Sequence, residues 1–130
     1  MTTFDFGNGL VPAHRHCNGG GWVADTASVA DTAYVGLDAK VSGNASVYGN
    51  ARVSGNARVS GNAIVFDDAM VSGTASVYGN AIVFGDAKVS DKAIVSGNAR
   101  VSGNAIVFGN AKVSDNAIVS GNAKVSGDAV

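Results

Sequence analysis

Ala51-Arg52-Val53-Ser54-Gly55-Asn56 is followed at once by Ala57-Arg58-Val59-Ser60-Gly61-Asn62, and this six-residue phrase decides the fold. Valine returns every sixth residue from Val23 to Val125, and alanine stands two before it from Ala27 to Ala129, with no slip of register. Side chains two apart on an extended chain share a face. Ala and Val therefore form one row, and the residues flanking Val point the other way. Two turn-formers close each unit, usually Gly-Asn and elsewhere pairs such as Asp67-Asp68 or Gly73-Thr74, because Gly, Asn and Asp tolerate the backbone a corner needs. A helix is excluded. A period of six matches neither 3.6 nor the heptad, and each interior glycine costs a helix about 1 kcal/mol.

A corner every six residues leaves no loop long enough to reverse the chain. The expected architecture is all-β: a parallel β-helix, or β-solenoid, of triangular coils with three hexapeptides each. Residues 21–130 make about six such coils, and residues 1–20, which lack the period, form an N-terminal cap. The hexads Val29-Ala30-Asp31-Thr32-Ala33-Tyr34 and Val35-Gly36-Leu37-Asp38-Ala39-Lys40 follow a further pattern: aliphatic, small or acidic, two variable positions, small, variable. In this the chain resembles the hexapeptide-repeat, left-handed parallel β-helix family over residues 21–130. The resemblance implies left-handed winding and, as is usual there, a homotrimer. It also implies an enzyme as one reading, because many members are acyltransferases with a catalytic histidine on or beside a coil, and related γ-class carbonic anhydrases bind a metal through three histidines. Here the repeats contain no histidine, and the chain has neither Glu nor Gln. Catalysis would thus be confined to the N-terminal segment, and a non-catalytic protein is expected.

Eighteen residues per coil sort the surface into three faces. One corner stacks Asn44, Asn62, Asn80, Asn98 and Asn116, whose amides are expected to hydrogen-bond from coil to coil. Asn and Asp at the corners are also conceivable Ca²⁺ ligands, against the plainer reading as turn residues. One outward face carries Tyr48, Ile64, Phe66, Ile82 and Phe84 in adjacent rows, more apolar surface than a soluble monomer normally shows. It is expected to be a subunit interface in a homodimer or homotrimer, with Tyr78, Ile94, Ile106, Phe108 and Ile118 on or near other rows to extend it. At the other extreme of the chain, Ala129 and Val130 stop within a hexad and offer an end-to-end contact, hence a filament. The expected function is a rigid, self-associating rod, like a phage or prophage fibre or a polymer-forming protein. A flat face that binds ice or a polysaccharide is a further alternative. Ser42, Ser60, Ser96 and Ser114 share such a face, but Lys40, Arg58, Ile94 and Lys112 interrupt it.

The first twenty residues contain the one constellation with metal-binding chemistry, His14, His16 and Cys17. Histidines at i and i+2 lie on one side of a strand, and with the thiol they offer three donors suited to zinc or copper. The structural reading is a cap, in which Phe4, Phe6, Leu10 and Val11 cover the open end of the first coil and Asn8-Gly9 and Asn18-Gly19 make turns. No cofactor is expected. A net charge of -1 argues against nucleic-acid or anionic-membrane partners, which need a basic excess. There is neither a membrane-length apolar run nor a classical signal peptide, which fits a cytoplasmic or phage-particle setting.

Overall fold

Residues 3–5 and 10–126 are described by the structure, a computed structural model. Among them there is no helix, and twenty strands form three sheets. Strands β1 (Thr3–Asp5), β2 (Leu10–Arg15) and β3 (Trp22–Ala24) are followed by β4 (Ser28–Val29), and from there each hexad contributes one two-residue strand ending in its valine. From β3 to the strand at Ile106, each strand pairs in parallel with the one eighteen residues on, so that Val47, Val65 and Val83 stand in register, as do Val59, Val77 and Val95. The first sheet holds β1, β2, β3 and the strands at Lys40, Arg58, Ser76, Ile94 and Lys112. The second runs from β4 through those at Ser46, Ile64, Ile82, Arg100 and Ile118, and the third from Tyr34 to Lys124. Three sheets meeting at three corners per coil give the triangular β-solenoid of about six coils expected from the period.

The core contains little besides the two residue types the phrase repeats. Every hexad Ala and Val from Ala33 through Ala111 is fully buried at 0% exposure. Burying one valine contributes roughly 1.5 kcal/mol, and the stack adds that term three times per coil.

Each corner is a turn closed by its own bond, as where Ala45 N–H donates to the Ser42 carbonyl at 3.4 Å. It is also tied to the coil beyond, since Asn44 N–H donates to the Gly61 carbonyl at 2.8 Å. The first corner residue takes a left-handed backbone, which is glycine's natural territory: φ is +66° at Gly61 and +66° at Gly97. Asp67, Asp91 and Asp115 hold the same conformation at φ of 57–61°. The carboxylates of Asp67 and Asp91 accept the backbone N–H of Gly85 and Gly109, one coil on, at 3.3 and 3.2 Å. Those bonds offset part of the steric cost of a side chain there.

The cap closes the first coil differently from the expectation. Strand β2 lies antiparallel on β3, pairing Ala13 with Ala24 and Arg15 with Trp22, and so covers the edge of the first sheet. A loop covers the edge of the third: Val35 N–H donates to the Asn18 carbonyl and Gly21 N–H to the Val35 carbonyl, both at 3.0 Å. Gly21 is needed for that approach, because a Cβ would fall 2.3 Å from the Gly36 carbonyl oxygen. Among the described residues, strand β4 of the second sheet is paired on one side only. The expected apolar plug is not formed by Phe4, Leu10 and Val11. Leu10 and Val11 are exposed, and Phe4 lies on the outer side, stacked on Trp22. The side chain turned inward is His16, 5% exposed, whose Nε2–H donates to the Ala33 carbonyl at 2.8 Å. An imidazole can satisfy a first-coil carbonyl that a phenyl ring would leave bare. Phe6 and the Asn8-Gly9 turn lie outside the described residues.

Candidate contact face and N-terminal groove

Outward positions of the second sheet form two parallel rows. The residues before valine run Ser28, Ser46, Ile64, Ile82, Arg100 and Ile118, and those after it Ala30, Tyr48, Phe66, Phe84, Ser102 and Ser120. The rings of Tyr48, Phe66 and Phe84 stack along the rod, with centroids 5.1 and 5.0 Å apart and planes 7° and 3° from parallel. Strand spacing of about 4.8 Å sets this separation. Stacking leaves Ile64, Phe66, Ile82 and Phe84 half-buried and Tyr48 44% exposed, so the rings already shield one another and turn their edges outward. Ile118 lies in the same row beyond Arg100, which separates it from Ile82, and is 68% exposed. The other candidates for extending the patch do not reach it. Tyr78 and Ile94 are on the first sheet and Ile106 and Phe108 on the third, because their positions within the eighteen-residue coil differ.

Charge is divided unevenly among the faces. Lys40, Arg58 and Lys112 project from the first sheet, and Arg52, Lys88 and Lys124 from the third. The second carries Arg100 alone.

The asparagine ladder forms over four of its five expected members. Asn62 Nδ2–H donates to Asn80, Asn80 to Asn98 and Asn98 to Asn116, at 3.3, 3.2 and 3.4 Å, and Asn44 stands outside it. A second link, Asn104 to Asn122 at 3.3 Å, occurs at another corner. There the preceding coils carry Asp68 and Asp86, which have no amide to donate.

His14, His16 and Cys17 do not converge. Strand β2 ends at Arg15, and the chain then turns, with His16 N–H donating to the Gly21 carbonyl and Gly20 N–H to the His16 carbonyl. This takes His16 off the pleat and into the coil. His14 stays outside, its Nδ1–H on Asp25 Oδ1 at 2.8 Å, and the exposed Cys17 thiol points to Asp31 Oδ1 at 3.6 Å. No group of three or more His, Cys, Asp or Glu among the described residues is placed to hold a metal ion. Ala129 and Val130, the end-to-end candidates, lie outside the described residues.

One site escaped the sequence reading. Where the cap lies along the first coils, Phe4, Arg15, Trp22, Leu37, Asp38 and Lys40 line a groove of about 310 Å³. Phe4 stacks on Trp22 with centroids 4.7 Å apart, the Arg15 guanidinium sits 4.5 Å over the indole, and Lys40 Nζ is 5.8 Å from the Phe4 centroid. Its one advance signal was Leu37, which stands where later coils place Gly55, Gly73 and Gly109.

Comparison with known proteins agrees with this architecture. No curated protein and no solved structure matches the chain. A family model described as the YdcK beta solenoid repeat matches residues 39–57, 51–65, 57–73, 93–109, 99–119 and 111–127, more than half of the chain. With six matched segments falling on the stacked hexads, the chain belongs to the YdcK beta solenoid repeat family.

Proposed function

We propose that this protein is a non-catalytic scaffold that self-associates side to side through the outer face of the second sheet. The observation that carries the reading is the coincidence of two features on that face: the rows of Ile64, Ile82, Tyr48, Phe66 and Phe84, and the concentration of cations on the other two faces, with Arg100 alone remaining at the end of the apolar rows. Loss of charge with enrichment in aromatic residues is the compositional mark of the middle of a protein contact. The occupant that fits is a second copy. The strip is a flat pile of side chains spaced at the strand repeat of about 4.8 Å, and another coil stack of the same pitch offers rows that can interleave with it.

Side-to-side association also suits the ends of the rod better than stacking end to end. A head-to-tail filament would need open edges on all three sheets, and the cap already occupies two of them at the N-terminal end. A filament, phage-type fibres included, would then be built from laterally paired units.

Sedimentation equilibrium over a concentration series tests the proposal. The wild type is expected to form a discrete oligomer, and Phe66→Asp with Phe84→Asp a monomer of unchanged circular dichroism. A wild type that stays monomeric at its highest soluble concentration sinks the reading. Rods that lengthen with concentration in both proteins would instead assign the contact to the coil ends.

A further inference from the structure

The groove beside the cap contains more charge than the packing of the cap explains. Arg15 is accounted for, since it stacks on Trp22 and its Nη1–H donates to the Gly20 carbonyl at 3.1 Å. Lys40 reaches over the Phe4 ring at 5.8 Å and Asp38 stands at a corner, but neither has a partner of opposite charge among the described residues. Both line the same groove as Arg15, and no Lys or Arg among the described residues pairs with a carboxylate, the one contact of that kind being the hydrogen bond of His14 to Asp25. Two cations and one carboxylate thus surround a common space without neutralising one another, which leaves a net positive field in it. The walls are not a plain aromatic platform either. With Phe4 stacked on the indole and Arg15 over it, the faces of Trp22 are engaged, and the groove is left with ring edges and the exposed side chain of Leu37. Ring edges carry partial positive charge and favour a negative group, or the π face of another ring, against them. A volume of about 310 Å³ equals roughly ten waters and is far more than a simple inorganic anion fills.

We propose that the groove formed by Phe4, Arg15, Trp22, Leu37, Asp38 and Lys40 binds a small aryl carboxylate. Arg15 and Lys40 supply the charge that holds its carboxylate, and its ring packs on Leu37 and the edges of Trp22 and Phe4. Asp38 sets an upper limit on ligand charge, since a second anionic group would face its carboxylate. This site is independent of the contact face. It lies on the first sheet, and the reading requires no oligomer.

Trp22 is the single tryptophan, so its indole N–H resonance reports on the groove directly. Titration with benzoate is expected to shift that resonance saturably. Benzamide, with the same ring and no charge, is expected to leave it in place. Lys40→Gln changes an outward side chain away from the core and is expected to weaken benzoate binding about tenfold, the loss of one charge-assisted contact. Asp38→Asn is expected to strengthen it. A linear, non-saturating drift with benzoate, equal shifts from benzamide, or an unchanged affinity in Lys40→Gln would each overturn the proposal. Acetate binding as tightly as benzoate would also do so, by showing that the apolar walls take no part.

Discussion

The rings of Phe66 and Phe84 lie one above the other, 5.0 Å between centroids and 3° from parallel. The backbone repeat holds them there, and each buries a face of the other before any partner arrives. Phe66→Ala should therefore destabilise the isolated protomer as well as weaken self-association. Because it also strips Tyr48 of its neighbour, we expect a loss of about 1–2 kcal/mol. Urea denaturation of the protomer at low concentration measures it, and an unchanged midpoint would mean that the stack exists only in the assembly.

Valine burial should depend on position along the rod. Val77 is fully buried between coils, and Val77→Ala is expected to cost about 2–3 kcal/mol, the transfer of two methyl groups plus a cavity. Val119, already 8% exposed in a coil where Ala117 is exposed, should lose about 1 kcal/mol on the same change, because its surroundings can relax into water. Chemical denaturation of the two variants compares them, and equal losses would contradict a nearest-neighbour stack.

The corner backbone predicts an asymmetry between glycine and aspartate. Gly61 has φ of +66°, and a Cβ added there would stand 2.9 Å from the Gly79 nitrogen. Gly61→Ala should cost about 1–2 kcal/mol or more. Asp91→Gly relieves the left-handed strain and forfeits the bond to Gly109 N–H, two effects of about 1 kcal/mol that nearly cancel. Thermal melts of both proteins decide it.

Asn80 both donates and accepts in its ladder, whereas Asn116 only accepts. Asn80→Ala should therefore destabilise about twice as much as Asn116→Ala. At exposed corners the larger loss stays near about 1 kcal/mol. A melting-temperature difference of the opposite sign would remove the ladder from the list of stabilising contacts.

Zinc is expected to leave the melting temperature unchanged, because His14, His16 and Cys17 point to Asp25, Ala33 and Asp31 rather than to one another. A metal bound at a hundred times its dissociation constant would add about 2.7 kcal/mol. A rise of several degrees with equimolar zinc would show that the segment rearranges to bind it.

The amino-acid order by itself determined the strand positions, the inward Ala and Val rows, the coil of three hexads, the stacked rings and most of the asparagine ladder. In a solenoid every long-range contact falls at one fixed separation, eighteen residues, so reading the period is equivalent to reading the contact map. Ile64 must meet Ile82, and Phe66 must meet Phe84, once that period is known.

Only the tertiary structure decided what happens where the period is absent. Nothing in residues 10–25 says that β2 returns antiparallel along β3, that His16 leaves the pleat to bond the Ala33 carbonyl, or that Phe4 goes outside to Trp22. The turn at Asn18-Gly19 was legible, but where the strand before it lands depends on which first-coil polar groups needed partners, and no repeat encodes that. The groove shows the same division. Trp22, Leu37, Asp38 and Lys40 come from the periodic chain and were legible as outward or corner positions. Phe4 and Arg15 reach them only because an aperiodic strand pair folds across the first sheet.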